Sequence, residues 1–148
     1  MNDEQRKRYE QLKQDNKSTE RKKSWSHNVL LQECLSALGT HKDILSIDEQ
    51  EKIIDEVNRR YKKAVKLKKK RKKIATVDET VSEWIGENVF IIWDEACLPV
   101  IQTKLNNLKT CMDDVTSVAF DTWIVSKDMN RLIEYDHNGK ITGIEMKR

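Results

Sequence analysis

The stretch VFIIWD, at Val89–Asp94, constrains the fold more than any other feature of the chain. Its unbroken run of apolar, β-branched and aromatic residues predicts a strand that is buried on both faces. The later segments SVAFDTWIVS, RLIEYD and KITGIEM predict three further strands. Asn138-Gly139 lies between the last two and indicates a hairpin with a type I′ turn, which needs positive φ at both central residues. The second half of the chain therefore predicts a sheet that is mostly antiparallel.

A helix is expected between the first two of these strands, so that the order is strand–helix–strand–strand–strand. Pro99 is tolerated in the first turn of a helix. If this helix crosses the sheet, the two strands that it joins are parallel and the crossover is right-handed. The apolar residues that follow the proline with helical spacing are Val100, Ile101, Leu105, Leu108 and Met112.

The first half of the chain has helical periodicity. Residues 25–39 repeat leucines on one helix face, with Ser24 or Ser26 as the expected N-cap and Gly39 at the end. A second helix begins at Ser46–Glu49, whose sequence SIDE is a capping box. Because the connection is only about six residues long, we expect the two helices to form an antiparallel hairpin.

These patterns predict an α+β fold: an N-terminal helical hairpin, then a small, mostly antiparallel sheet with a helix packed on one face. Residues 1–24 are expected to form a charged, mobile arm, because they offer no apolar stripe to bury. Residues 25–74 form the hairpin and end in a basic run. Residues 75–148 form the sheet region, either separately or as one domain with 25–74.

The net charge of +3 conceals a strong asymmetry between the two halves. Residues 1–74 contain 21 Lys and Arg against 12 Asp and Glu, whereas residues 75–148 contain 7 against 13. Such an asymmetry indicates charged partners or a segment boundary. No apolar run is long enough for a membrane span or a secretory signal, and the three cysteines are widely spaced, so we expect a cytoplasmic protein with free thiols and no membrane contact.

No specific catalytic constellation is present, so the sequence predicts a protein without catalytic residues, cofactor or metal. An enzyme that uses Asp94, Glu95 or His137 is the weakest hypothesis, because no mutual geometry can be argued for these residues. Asp94 and Glu95 follow a strand, where active-site residues often lie. They suit equally well the N-cap and first turn of the expected helix. His137 is expected to be exposed in a hairpin turn.

Acidic residues of the second half are candidates for contact with a basic protein partner. We expect Asp113-Asp114 to end a helix, where carboxylates are mildly unfavourable and face outward. Other acids lie on the predicted strands, where they would line a solvent-facing sheet surface together with an aromatic side chain; the alternative is an ordinary solvated face. The candidate partner-binding residues are Asp94, Asp113, Asp114, Asp121, Trp123, Glu134 and Asp136.

The basic run offers a second surface. Eleven of the fifteen residues from Arg59 to Lys73 are Lys or Arg, on what we expect to be the end of the second helix. Such a helix would bind phosphates in a salt-dependent, sequence-independent way, which makes a nucleic-acid-binding protein the alternative function. The candidate contacts to phosphate or an acidic partner are Lys66, Lys68, Lys69, Lys70, Arg71, Lys72 and Lys73.

Four short segments within residues 88–143 carry a resemblance to a known family: Trp93-Asp94, Leu98-Pro99-Val100, Phe120-Asp121-Thr122-Trp123, and Glu134-Tyr135 before the Asn-Gly turn. With these features, the region resembles the immunity proteins of bacterial contact-dependent growth inhibition, a polymorphic-toxin system. The resemblance implies a non-enzymatic cytoplasmic inhibitor that binds one cognate toxin C-terminal domain, often a nuclease, and blocks its active site or substrate surface. The negative second half would complement the charge of a nuclease.

Overall fold

A computed structural model describes residues 2–40, 42–67, 71–95 and 97–146, without the side chains of residues 17, 18, 71 and 72. Within these residues the chain forms six helices and seven strands. In order, they are α1 (Asp3–His27), α2 (Val29–Leu38), β1 (Lys42–Ile44), α3 (Ile47–Lys66), β2 (Arg71–Ile74), α4 (Glu79–Ile85), β3 (Asn88–Trp93), β4 (Ile101–Lys104), α5 (Leu105–Lys109), α6 (Met112–Thr116), β5 (Thr122–Ser126), β6 (Arg131–Tyr135) and β7 (Ile141–Glu145).

All the described strands belong to one sheet in the order β1-β4-β3-β5-β6-β7-β2, and every neighbouring pair is antiparallel. The predicted α+β class, with N-terminal helices followed by a mostly antiparallel sheet, is confirmed. The sheet is wider than expected, because β1 and β2 from the first half of the chain form its two edges. The domain boundaries stay a prediction.

The interior strand β3 contributes side chains to two apolar clusters on opposite sides of the sheet. Val89 and Ile91 point to one side, which we call the closed face; its cluster includes residues of α2, α4, α5 and α6. Phe90 and Ile92 point to the other side, the open face, where α3 supplies the helical residues of the cluster. The alternation follows from the pleat of the strand, and it explains why VFIIWD is apolar throughout: both of its faces are covered.

Helices α2 and α3 lie on opposite faces of the sheet and therefore do not pack as the expected hairpin. Each carries one apolar stripe: Leu31 and Leu38 join the closed-face cluster, whereas Val57 and Ala64 join the open-face cluster. A sheet that is apolar on both sides can bury both stripes. The predicted N-cap of the first of these helices is also wrong, because Asn28 caps α2 by accepting a hydrogen bond from the Leu31 amide at 3.0 Å.

The expected helix after Pro99 is instead strand β4. Val100 joins the open-face cluster and Ile101 the closed-face cluster, so successive side chains alternate as they do in a strand. Strand β4 pairs antiparallel with both β3 and β1, and α5 begins only at Leu105. Because β3 and β5 are also antiparallel, the conditional case of a parallel pair with a crossover does not arise. A short strand followed by a short helix gives apolar residues nearly the same spacing as one helix does, and here pairing with β3 and β1 stabilises the strand.

The connection between β6 and β7 differs from the predicted type I′ turn. Gly139 has a φ of 81°, but Asn138 is not among the described residues with positive φ. The amide of Gly139 donates to the carbonyl of Asp136 at 3.1 Å, and the Asp136 amide donates to the Lys140 carbonyl at 3.0 Å. The loop is therefore a longer hairpin connection in which glycine alone takes the left-handed conformation.

The charged segments also have defined backbone structure. Residues 3–27 form one helix, α1, whose side chains are mostly exposed; the mobility of this arm stays a prediction. The basic run is not one helix, because α3 ends at Lys66 and Arg71–Ile74 forms β2, paired with β7. The side chain of Ile74 is buried in the closed-face cluster, and this burial favours the strand. Residues 68–70 lie outside the described part of the chain.

Candidate functional site

A cavity of about 510 Å³ lies on the open face, between α3 and the ends of β3, β5 and β6. Trp123 and Ile54 give it an apolar wall, and Arg21 of α1 supplies a guanidinium. We call this the acidic cavity, because its lining includes six carboxylates against that single guanidinium. The carboxylates belong to Glu51, Asp55, Asp94, Glu95, Asp121 and Glu134.

Asp94 and Asp121, two of the predicted acids, form hydrogen bonds between the ends of neighbouring strands at one side of the acidic cavity. The Asp94 carboxylate accepts a hydrogen bond from the Asp121 amide at 3.3 Å, and the Asp94 amide donates to the Asp121 carbonyl at 3.3 Å. The Asp121 carboxylate in turn accepts from the His137 amide at 3.0 Å and lies 3.4 Å from His137 Nδ1. Asp94 is not an N-cap, because the next element after β3 is strand β4. These contacts hold both carboxylates at the rim.

Trp123 and Glu134 form a cross-strand pair on β5 and β6. The Trp123 indole Nε1 donates to Glu134 Oε2 at 2.8 Å. Tyr61 of α3 lies against the indole, with ring centroids 4.7 Å apart, and its hydroxyl is 3.5 Å from the same Glu134 oxygen. The indole presents apolar area while its N–H is satisfied, an arrangement that suits a binding surface. Trp123 and Glu134 therefore lie side by side in the cavity wall next to α3, and their contact with a partner stays a prediction.

Helix α3 positions the other side of the acidic cavity. It begins at the predicted cap, where Ser46 Oγ accepts from the Glu49 amide at 3.3 Å. Gln50, which is 1% exposed, then fixes the helix to the strand connection: its Nε2 donates to the Leu98 carbonyl at 3.1 Å, and its Oε1 accepts from the Val100 amide at 3.2 Å. This double hydrogen bond holds the backbone at Leu98 and Val100, two residues before β4 that belong to no helix or strand.

Sequence reasoning missed several residues of the acidic cavity. Glu51 and Asp55 are four residues apart, a spacing that places them on one side of a helix, so the helix prediction could have paired them. Nothing in the local sequence connects this pair with Asp94, Glu95 or Asp121. Arg21 belongs to a segment that was predicted to be a mobile arm, because it has no apolar stripe. One arginine that reaches a cavity adds no periodic pattern to the sequence.

Three of the predicted acids lie away from the acidic cavity. Asp113 and Asp114 are exposed in the first turn of α6, not at the end of a helix as expected, so the helix dipole favours them. The Asp136 carboxylate accepts from the amides of Asn138 and Lys140, both at 2.9 Å. Asp136 therefore shapes the turn before β7.

The basic candidates do not form a single described surface. Lys66 is exposed in the last turn of α3, and Lys73 is exposed on the edge strand β2. The backbone of Arg71 and Lys72 also belongs to β2. Lys68, Lys69 and Lys70 lie outside the described residues. The basic run thus changes from helix to sheet edge between its two ends.

Among the residues that the structure describes, no group of three or more His, Cys, Asp or Glu side chains could hold a metal ion. In the same residues, no helix combines the length and apolarity that a membrane span requires.

The model of one protein family matches residues 28–144, which is most of the chain and all of the sheet except Glu145. The chain belongs to this family, described as CdiI immunity protein, EcoliA0-like. It is thus an immunity protein of contact-dependent growth inhibition, a class that neutralises a toxin, and the expected resemblance is confirmed. No curated protein matches the sequence. Helix α1, with Arg21, precedes the matched region.

Proposed function

We propose that the protein neutralises its cognate toxin by binding the toxin's C-terminal domain, a nuclease, through the acidic cavity. The protein acts in the cytoplasm, as a stoichiometric inhibitor without catalytic groups of its own. The observation that carries this proposal is the convergence of six carboxylates and one guanidinium on a single cavity with an aromatic wall.

Charge complementarity supports a nuclease as the toxin. A protein that cleaves nucleic acid presents Lys and Arg to the phosphate backbone. A concave acidic surface attracts such a patch, raises the association rate and disfavours acidic partners. Blocking the patch would exclude the nucleic acid from the toxin. Trp123, partly exposed at the wall, supplies the kind of aromatic contact that dominates many interfaces.

The test is the affinity of the full chain for the toxin C-terminal domain encoded beside its gene, measured by isothermal titration calorimetry. Asp55→Asn with Glu95→Gln removes two cavity carboxylates. Within the described residues, these two side chains form no hydrogen bond or ion pair, so the fold should persist. We expect the affinity to fall about tenfold or more, which corresponds to about 1.4 kcal/mol.

The matched control is Asp113→Asn with Asp114→Asn, which removes the same charge from exposed positions outside the acidic cavity. We expect this variant to bind the toxin almost as tightly as the unmodified chain. An equal loss of affinity in both double variants would show that net charge matters and the cavity does not. A toxin domain that leaves DNA and RNA intact would overturn the nuclease assignment alone.

A further inference from the structure

The acidic cavity already contains a cation from its own chain. Arg21 reaches its lining from α1, the helix that precedes the family-matched residues. All the other lining residues, from Gln50 to Glu134, belong to the matched region. The guanidinium and the six carboxylates thus line one cavity, and Arg21 belongs to a segment outside the residues that match the family.

Arg21 is not fully satisfied in this position. Its Nη1 atom is buried but has no hydrogen-bond partner among the described residues. A buried donor without an acceptor destabilises the arrangement, and a guanidinium normally seeks several acceptors in the plane of its fork. The guanidinium that α1 brings to the cavity therefore keeps an unused donor beside carboxylates that another guanidinium could bind.

Helix α1 is attached mainly near its C-terminal end. Trp25 packs against the closed-face cluster, and its indole Nε1 donates to the Cys97 carbonyl at 2.6 Å. The Gln32 side chain donates to the Trp25 carbonyl at 2.9 Å, which holds α1 against α2. Towards the N-terminus, most side chains of residues 2–20 that are described are exposed. A displacement of α1 would therefore turn about Trp25 and withdraw Arg21.

We propose that the acidic cavity is a receptor for an arginine side chain of the toxin, and that Arg21 occupies it until the toxin arginine replaces it. The inference rests on the proposed function and names the group that the site recognises. Arginine suits the site better than lysine, because a planar guanidinium can bond to carboxylates through two donors and stack on the Trp123 indole.

Competition between Arg21 and an added guanidinium can be measured on the full chain with an octa-arginine peptide as the probe. Arg21→Ala vacates the cavity, and we expect it to bind the peptide about five- to tenfold more tightly than the unmodified chain does. Lys23→Ala is the matched control, because it removes a positive charge from an exposed position two residues away. Equal affinity of the two variants would overturn the proposal.

An octa-lysine peptide tests the preference for arginine at the same formal charge. We expect it to bind Arg21→Ala several-fold more weakly than octa-arginine does, and equal binding would refute an arginine receptor. Asp55→Asn with Glu95→Gln should weaken octa-arginine binding. If these acidic variants weaken toxin binding but Arg21→Ala does not strengthen peptide binding, the proposed function stands and the displacement of Arg21 is wrong.

Movement of α1 separates displacement from a local charge effect. Spin labels at Glu10→Cys and Lys62→Cys, both exposed positions, report the distance between α1 and α3 once the exposed Cys97 is replaced by serine. We expect octa-arginine to lengthen and broaden this distance. An unchanged distance at saturating peptide would show that Arg21 stays in place, and the proposal would fall.

Discussion

The closed face and the open face of the sheet share the same strands but are covered to different extents. Residues of four helices, α2, α4, α5 and α6, join the closed-face cluster, whereas α3 supplies the helical residues of the open-face cluster. Beyond α3, the open face leaves room for the acidic cavity. One face of this sheet is therefore covered by several helices, while the other leaves polar and aromatic side chains around an open cavity.

The largest expected effect comes from the closed face. Leu108 is 0% exposed, so Leu108→Ala should lower the free energy of unfolding by about 2–5 kcal/mol, since it leaves a cavity in packed surroundings. Trp123→Phe on the open face loses the indole hydrogen bond and should cost only about 1 kcal/mol of stability. It should nevertheless weaken toxin binding. Urea unfolding measures stability and calorimetry measures toxin binding. Equal losses of stability in the two variants would show that the two faces do not differ in this way.

A smaller effect should separate two neighbouring arginines of α3. Arg60 is buried: it lies 2.7 Å from Glu56 and donates to the Asp128 carbonyl and to Asn130 Oδ1, both at 3.0 Å. Arg60→Ala leaves these acceptors without their donor and should cost about 2–4 kcal/mol in urea unfolding.

Its matched control is Arg59→Ala. Arg59 pairs with the same Glu56 at 2.6 Å, but its side chain is 54% exposed, so water replaces the lost contact. We expect no measurable loss of stability. If both variants lose the same stability, the hydrogen bonds from Arg60 to the loop between β5 and β6 do not stabilise the fold.

The smallest effects concern pH, and the two faces should differ in sign. On the closed face, burial raises the pKa of Cys34 from 9.0 to about 12 and that of Tyr135 from 10.0 to about 12. The unfolded chain releases these protons first, so stability should fall as the pH rises from about 9 towards 12. On the open face, hydrogen bonds from Arg59 and Arg60 lower the pKa of Glu56 from 4.5 to about 2. This contribution should disappear as the pH falls from about 4.5 towards 2.

Urea unfolding across the pH range measures these contributions. Cys34→Ala with Tyr135→Phe should flatten the alkaline side of the curve, and Glu56→Gln should flatten the acidic side. A variant that leaves its side of the curve unchanged would show that other groups cause the pH dependence there.

Much of the local structure was predictable because its signals lie between neighbours in sequence. The cap at Ser46, the buried strand at Val89–Asp94 and the strands around Trp123 and Glu134 agree with the structure. The helix predicted after Pro99 was wrong, since the spacing of apolar residues cannot distinguish a short strand followed by a helix from one helix. The prediction that the whole basic run is helical was also wrong, because its end pairs with β7, a strand about 70 residues away in sequence.

The candidate site was predictable only in part. Asp94, Asp121, Trp123 and Glu134 were expected as partner contacts, and the structure brings them to one cavity. Asp136 does not line that cavity, and its carboxylate instead accepts hydrogen bonds within the turn before β7. The Asn-Gly pair predicted a different type of turn there. Their role in binding the toxin remains the proposal that the cavity variants test.

The sequence by itself determined the start of α3, the strands β3, β5 and β6 and the uneven charge, because backbone preferences and periodicity act over a few residues. It also carried the resemblance to the immunity family. Only the tertiary structure decided that α2 and α3 cover opposite faces and that β1 and β2 become sheet edges. The acidic cavity needs Arg21, Asp55, Asp94 and Glu134 together, and these residues are adjacent only after long-range strand pairing and burial of both sheet faces have joined distant parts of the chain.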